Sequence, residues 1–381
     1  MAYSFLIIGI LIGAAIGFGL GYLIYDPQIK SLANLASNSP FTVGAAGTLK
    51  YAFGAELTTF EGLYPNIPVA PALFEGSDLV ASTENSTRQF SLEAAADTTA
   101  IPSALFTKIA NYEIAFGQTQ MVIIVNLESP AGLELYNMWK AAQAYTVNST
   151  QWNDAWQKMF ELIATNSSTV VGISNPFTDP SGYQAAGMIR LAGLTFFHNV
   201  SELYDAIYFS NNLNKYVMAD TETTLVTQME TARNIDFIIS AYLSNAIPQT
   251  GNSTQTHIAY ITLPNSVNLG VLSDLSYYLQ ANFRLSPSQL QPSGPGPAEN
   301  FTVDPVIYCV TIPIPSTNAA AANLFIQTLF SKTGQSILEQ NGITPLLPGI
   351  VYGNYTSIPS QITSLVTPVN ATYSSLFPSG S

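Results

Sequence analysis

Three times along this chain a short apolar run breaks at a turn of small residues and continues as a helical pattern. Phe41-Thr-Val-Gly-Ala-Ala-Gly-Thr-Leu49 leads into a helix over Lys50–Phe60. Pro65–Leu73 leads through Phe74-Glu-Gly-Ser-Asp78 into a second helix. Val171-Gly-Ile-Ser-Asn-Pro-Phe-Thr-Asp-Pro-Ser-Gly-Tyr183 leads into a third, over Gln184–Phe197. Units of this kind predict an α/β fold with a largely parallel sheet. Each also leaves the first N–H groups of its helix unpaired and aimed out of the turn, a place for an anion that needs no Lys or Arg. Open α/β sheets bind ligands outside the carboxyl ends of their strands. The helix starts at Gly47-Thr48, Gly76-Ser77 and Asp179–Gly182 therefore describe a binding architecture before a catalytic one.

Cations are scarce, which gives those helix ends their interest. The 381 residues include 11 Lys and Arg, scattered singly from Lys30 to Lys332, and the net charge is −13. No basic stripe exists, so nucleic acid is excluded as a partner. Charged residues make up 9% of the chain, against about a quarter in ordinary soluble proteins. Ser, Thr, Asn, Gln and Tyr carry the polarity instead. Such a surface keeps its character as pH falls, which points to an exposed and acidic environment. The single cysteine, Cys309, lies in the apolar run Val306–Ile312. It reads as a buried strand residue and rules out an intrachain disulfide framework.

Residues Phe5–Tyr25 carry no charge and are long enough to span a bilayer. No basic start precedes them and no small-x-small site ends them, so they read as an uncleaved anchor, with a cleaved signal as the alternative. Gly9, Gly13, Gly17 and Gly21 fall on one helix face. That face either packs against a second helix, giving self-association, or reflects the glycine content of membrane helices in general. Asn85, Asn148, Asn166, Asn199, Asn252, Asn300, Asn354 and Asn370 each begin an Asn-x-Ser/Thr glycosylation triplet. Together with the low charge they place the body outside the cell, at the cell surface.

The length suits two lobes. After the anchor (residues 1–25), residues 26–40 read as a polar stalk. Residues 41–118 and 257–355 read as a discontinuous first lobe and 119–256 as the second. The β-prone stretch Glu113–Val125 is the crossing between them. Ser286–Asn300 reads as a solvated loop, and 356–381 as a Ser/Pro-rich tail along the surface. The only histidines, His198 and His257, stand in no metal-ligand spacing, and neither a Gly-x-Ser-x-Gly nor a phosphate-cradling Gly-Lys motif occurs. Nothing assembles into a catalytic constellation, so no enzyme and no cofactor is expected.

With these residues laid out, the chain resembles the substrate-binding proteins of ABC importers, and more narrowly the archaeal molybdate/tungstate-binding proteins. Ser174-Asn-Pro-Phe-Thr-Asp-Pro-Ser-Gly-Tyr183 is similar to that family's Asn-Pro-x-x-Asp-Pro-x-Gly-Tyr signature. Ala45-Ala-Gly-Thr-Leu49 resembles its opening Ala-Gly-Ser-Leu turn, with Thr48 in place of Ser, and Glu75-Gly-Ser77 resembles its second anion-binding turn. Ala95-Ala-Asp97 with Ile101-Pro102, and Thr333–Gly342, match further pieces in the same order. The resemblance implies a two-lobed, periplasmic-binding-protein-like (Venus-flytrap) α/β body with a tetrahedral oxyanion in its cleft and an ABC permease as partner.

It also implies roles for single residues. Thr48 and Ser77 would donate hydroxyl and backbone hydrogen bonds, and Ser181 would offer a helix N-terminal N–H. Tyr242 falls near a ligand-contacting tyrosine, and Thr223 near a further backbone donor. The plain alternatives are helix caps for Thr48, Ser77 and Asp179, and a core position for Tyr242. In the archaeal branch an Asp of the signature and a later Glu approach the metal. Asp179 matches the Asp, but Asp236-Phe-Ile-Ile-Ser-Ala-Tyr242 holds no Glu before the tyrosine. The expectation is an anion held as a plain tetrahedron, with Asp179 chiefly a cap. Sulfate and phosphate stay open as ligands, as does a surface-layer or filament component built on the same fold. An open cleft, against one filled by side chains, separates binding from structural use.

Overall fold

The computed structural model describes residues 27–210, 212, 215–250, 257–290 and 296–377. The apolar span Phe5–Tyr25 with its four glycines, and Asn252, lie outside the described residues. Among the described residues, no helix is long and apolar enough to cross a membrane.

The first lobe opens with helix α1 (Pro27–Ala36), then runs β1 (Val43–Ala46), α2 (Lys50–Leu63), β2 (Leu73–Glu75), α3 (Ser77–Thr87), β3 (Leu92–Ala95), α4 (Ala100–Leu105) and β4 (Tyr112–Gln118). The chain crosses at Thr119-Gln120. The second lobe follows as β5 (Met121–Asn126), α5 (Pro130–Ala142), α6 (Thr150–Thr165), β6 (Val171–Ser174), α7 (Pro180–Ala192), α8 (Glu202–Tyr208), β7 (Tyr216–Ala219), α9 (Glu222–Thr231), β8 (Phe237–Tyr242), α10 (Leu243–Thr250) and β9 (Ile258–Thr262). A connecting segment carries α11 (Leu275–Tyr278), β10 (Phe283–Leu285), α12 (Pro287–Leu290) and β11 (Glu299–Phe301). The chain then returns to the first lobe as β12 (Ile307–Thr311), α13 (Ala319–Leu329), α14 (Lys332–Gln340), β13 (Thr344–Gly353) and β14 (Val366–Pro368).

The first lobe is built on a seven-stranded sheet ordered β14-β13-β4-β12-β3-β1-β2, the second on a five-stranded sheet ordered β7-β6-β8-β5-β9. Both are mixed, not largely parallel as the sequence predicted. Where β–α units follow one another the strands pair in parallel, as β2-β1-β3 and β7-β6-β8 do. The strands that carry the chain between lobes, β4, β5, β9 and β12, run against their neighbours. Successive residues of the central strands feed opposite faces, as the period of two requires. Leu92, Ala94, Ile114, Tyr308 and Val310 pack with Phe53, Phe60 and Phe325. Ala95, Ala115, Ile307 and Cys309 pack with Ile101 and Leu105. In the second lobe Ile123 and Val125 enter one core, and Val122 and Ile124 the other. Cys309 is a buried strand residue, as expected.

Four readings of the chain's organisation change. β9 pairs with β5 in the second lobe's sheet, so residue 257 does not begin the return. Tyr278, Phe283, Leu285, Val303 and Val306 also enter the second lobe's core, and the first lobe resumes at Ile307. Ser286–Asn300 contributes α12 and the start of β11, not loop alone. The stalk is a helix: α1 buries Ile29 and Ala36, and the buried Asn318 amide donates to the carbonyls of Ala36 (2.8 Å) and Ser39 (2.6 Å). The tail is structural as well. Its β14 extends the first lobe's sheet, and Leu376 and Phe377 are buried, with Phe377 stacked on Tyr352.

Candidate functional site

A cavity of about 230 Å³ lies where the two lobes face each other. From the first lobe its wall is made by Ala46-Gly47-Thr48, after β1, and by Phe74–Ser77, where β2 turns into α3. From the second lobe come Asp179-Pro180 at the start of α7, Thr221-Glu222-Thr223 at the start of α9, and Asn245 in the first turn of α10. The walls therefore bring together chain segments that each open a helix, with free N–H groups and the positive ends of helix dipoles.

Each corner has a local cause. After β6, Asn175 builds a tight turn: its side-chain oxygen accepts from Phe177 N–H (3.1 Å) and its carbonyl from Asp179 N–H (3.0 Å). Asp179 then caps α7 by accepting from Ser181 N–H at 3.0 Å, with Pro180 at the first helical position. Gly182 is required by contact: a Cβ there would stand 2.5 Å from the Ser174 carbonyl oxygen. Gly76 is required across the cleft, where a Cβ would stand 2.6 Å from the Thr178 carbonyl oxygen. Thr221 caps α9 by accepting from Thr224 N–H.

Of the residues singled out in the sequence, Thr48, Ser77, Asp179 and Thr223 stand on the cavity wall. The Thr48 hydroxyl is buried, and the Tyr308 hydroxyl is the neighbour it acts on. The Ser77 hydroxyl accepts from Ala96 N–H at 2.9 Å, which leaves its own proton free to donate. Ser181 and Tyr242 lie behind the wall. The Ser181 N–H is already used by Asp179, so it is not the free donor the resemblance implied. Tyr242 is fully buried and its hydroxyl donates to Gln184 Oε1, the core position that was its plain alternative.

The sequence does not single out an acidic partner for Asp179. A glutamate does face Asp179, but it comes from α9, one helix earlier than the stretch before Tyr242. Glu222 is 2% exposed and lines the cavity. Its Oε2 accepts from Asn245 Nδ2 at 2.8 Å, and its Oε1 has no partner. Burial pushes its carboxyl well above the usual range, against the Asn245 hydrogen bond, and the nearby Asp179 charge pushes it further. Burial also raises Asp179, while the Ser181 N–H, the hydroxyls of Ser181 and Ser174, and the Glu222 N–H hold it down. The half-exposed Glu75 adds a third carboxyl to the wall. No Lys, Arg or His lines this cavity. The sequence signal for Glu222 was present in Thr221-Glu-Thr223 ahead of the apolar Leu225, Val226 and Met229, but it reads as an ordinary helix start. Asn245 gave no signal.

Comparison with known proteins bears on the fold and the family. A family model described as bacterial extracellular solute-binding protein matches residues 41–344. The molybdate/tungstate-binding protein WtpA of Thermococcus kodakarensis is 23% identical over 294 residues, covering 73% of this chain and 72% of that one. Among solved structures, the periplasmic molybdate-binding protein of Azotobacter vinelandii superposes with a TM-score of 0.50 at 14% identity, over 81% of this chain and 99% of its own. The sulfate-binding protein SubI of Mycobacterium tuberculosis also gives 0.50, at 12% identity, over 90% and 93%. These structures share the two-lobed α/β fold, and the two proteins are named for different anions. The matched stretch reaches from the start of the first lobe to its return: the chain belongs to the family of bacterial extracellular solute-binding proteins, which are binders and not enzymes.

Proposed function

We propose that this protein captures a tetrahedral oxyanion of the molybdate or tungstate class outside the cell and delivers it to an ABC permease. The observation that carries the reading is the pairing, in one cavity, of helix N-termini with the carboxyls of Asp179 and Glu222. Helix ends and the Thr48 and Ser77 hydroxyls suit any oxyanion, since each hydrogen bond to a charged acceptor contributes ~1.5–3 kcal/mol. Two carboxyls with no cation suit few. Sulfur and phosphorus in their oxyanions are saturated and take no further oxygen ligand, so a carboxylate meets sulfate only as a like charge and phosphate only through a phosphate hydroxyl. Molybdenum and tungsten are metal centres that accept further oxygen ligands. Glu222 therefore changes the expectation of a plain tetrahedron to one in which Asp179 and Glu222 both approach the metal.

The cavity is open and not plugged by side chains, which favours binding over a surface-layer or filament role. The span Phe5–Tyr25 would hold the body at the cell surface. The described glycosylation triplets are accessible: Asn148, Asn199, Asn300, Asn354 and Asn370 are exposed, and Asn85 and Asn166 half-buried. Calorimetry of the full chain with tungstate, molybdate, sulfate and phosphate tests the reading. Tight binding of the first two, with weak or absent binding of the others, is expected. Preference for sulfate or phosphate would reject it.

A further inference from the structure

The Glu222 carboxylate has two oxygens in two different situations. Oε1 has no protein partner at hydrogen-bond geometry although it is buried; Oε2 is held by Asn245 Nδ2 at 2.8 Å, and the Tyr242 N–H also acts on the carboxyl. Asn245 is itself 1% exposed and lines the same cavity, and its Oδ1 also has no partner. Asn245 and Glu222 sit on separate helices. Glu222 opens α9, while Asn245 stands in the first turn of α10, directly after β8. α10 is fixed in turn from the first lobe's side, because Ser244 shares a 2.7 Å hydrogen bond with the Tyr308 hydroxyl of β12.

We propose that Asn245 is the positioning residue for Glu222: it pins one carboxylate oxygen so that the other points at the bound anion, and so sets selectivity for metal oxyanions. This rests on the molybdate/tungstate reading of the cavity. The physical reason is that a glutamate has three side-chain torsions, and one fixed oxygen removes most of the freedom of the other. An amide suits the task. It donates without charge, so it aims the carboxylate without becoming a cation that would attract sulfate or phosphate equally well. Because Ser244 ties the same helix turn to Tyr308, the aim is made in the geometry where the two lobes are joined.

The experiment is a double-mutant cycle on the full chain, read by calorimetry with sodium tungstate and by tungsten-edge X-ray absorption of the bound protein. Asn245→Ala is expected to weaken tungstate binding about tenfold or more, as loss of a hydrogen bond to a charged group does. It should also lower the number of oxygen neighbours around tungsten. In a Glu222→Ala background the same substitution should add less than about twofold, because its effect runs through Glu222. Asn245→Ser, which keeps a shorter donor, should fall between wild type and Asn245→Ala and serves where the alanine variant melts early. Additive losses in the cycle, or an unchanged oxygen count in both Asn245 variants, overturn the role of Asn245 while leaving the cavity's function standing. A wild-type protein that binds neither tungstate nor molybdate overturns both.

Discussion

The two lobes treat their acids in opposite ways. The second lobe brings buried carboxyls to the ligand cavity, Asp179 and Glu222, each at the start of a helix. The first lobe offers the cavity neutral hydroxyls and backbone, with the half-exposed Glu75 beside them, and keeps Glu56, Glu93 and Glu113 inside its core. Both oxygens of Glu56 and of Glu93 are buried without a hydrogen-bond partner, and Glu113 has only the Cys309 thiol against it. The difference separates two jobs. On the proposed function, the first lobe would supply donors that any oxyanion accepts, and the second the groups that choose between oxyanions. The core glutamates take no part in either, and they tie the protein's stability to an acidic medium.

That division can be broken by substitution. The largest effect is expected from Glu222→Ala, which should reduce tungstate affinity about a hundredfold while leaving weak sulfate binding unchanged or slightly improved. Equal losses for both anions in parallel titrations would dissolve the distinction between the lobes. Next comes Gly76→Ala. Its added Cβ meets the Thr178 carbonyl across the cleft, and backbone cannot yield as a flexible side chain can. The lobes should stay apart, with tens-fold weaker binding of every oxyanion and a larger radius of gyration by small-angle scattering in saturating tungstate.

Thr48→Ala should weaken tungstate and sulfate alike, by about tenfold, with a small fall in melting temperature from the lost contact with the Tyr308 hydroxyl. Ser77→Ala should cost similar affinity and also ~1–3 kcal/mol of stability, because the buried Ala96 N–H loses its acceptor. A selective loss for one anion in either variant would move discrimination into the first lobe.

The smallest effect on binding is expected from the core glutamates, which act instead on the pH dependence of folding. Burial raises the Glu56 carboxyl from an ordinary 4.5 to about 8. A carboxyl raised on folding stays protonated in the folded state while the unfolded state releases its proton. Stability is therefore full below about pH 4.5 and declines as pH rises toward about 8. Burial raises Glu93 and Glu113 as well, and they act in the same direction. The melting temperature should be several degrees higher at pH 4.5 than at pH 7.5. Glu56→Gln should flatten that slope; a slope of opposite sign in wild type would contradict the account.

Much of this fold is legible in the sequence because its corners are made by residues with few alternatives. Asp179-Pro180 sets a helix start, Gly182 allows close packing, and Gly76-Ser77 follows a strand. What stays hidden is tertiary. Glu222 looks like any acidic first-turn residue until β6, β7 and β8 bring the starts of α7 and α9 side by side. The return point at Ile307 is masked because β9 is a good strand for either lobe, and only its pairing with β5 assigns it. The tail reads as surface because Ser and Pro dominate its composition, yet Val366, Leu376 and Phe377 are enough to bury it. α1 is hidden for the same reason. Its few apolar residues count only once α13 lies against them.

The docking of α1 also has a mechanical side. Asn318 grips the end of that helix through two carbonyls, and Ile29 and Ala36 seat it on the core behind the first lobe's sheet. A force applied at Pro27 enters α13 and the larger sheet, whose β1 and β2 end in Ala46, Phe74 and Glu75 of the cavity wall. The first lobe is thus the part that a pull on the N-terminal side loads first, and the second lobe feels it only through its links to the first.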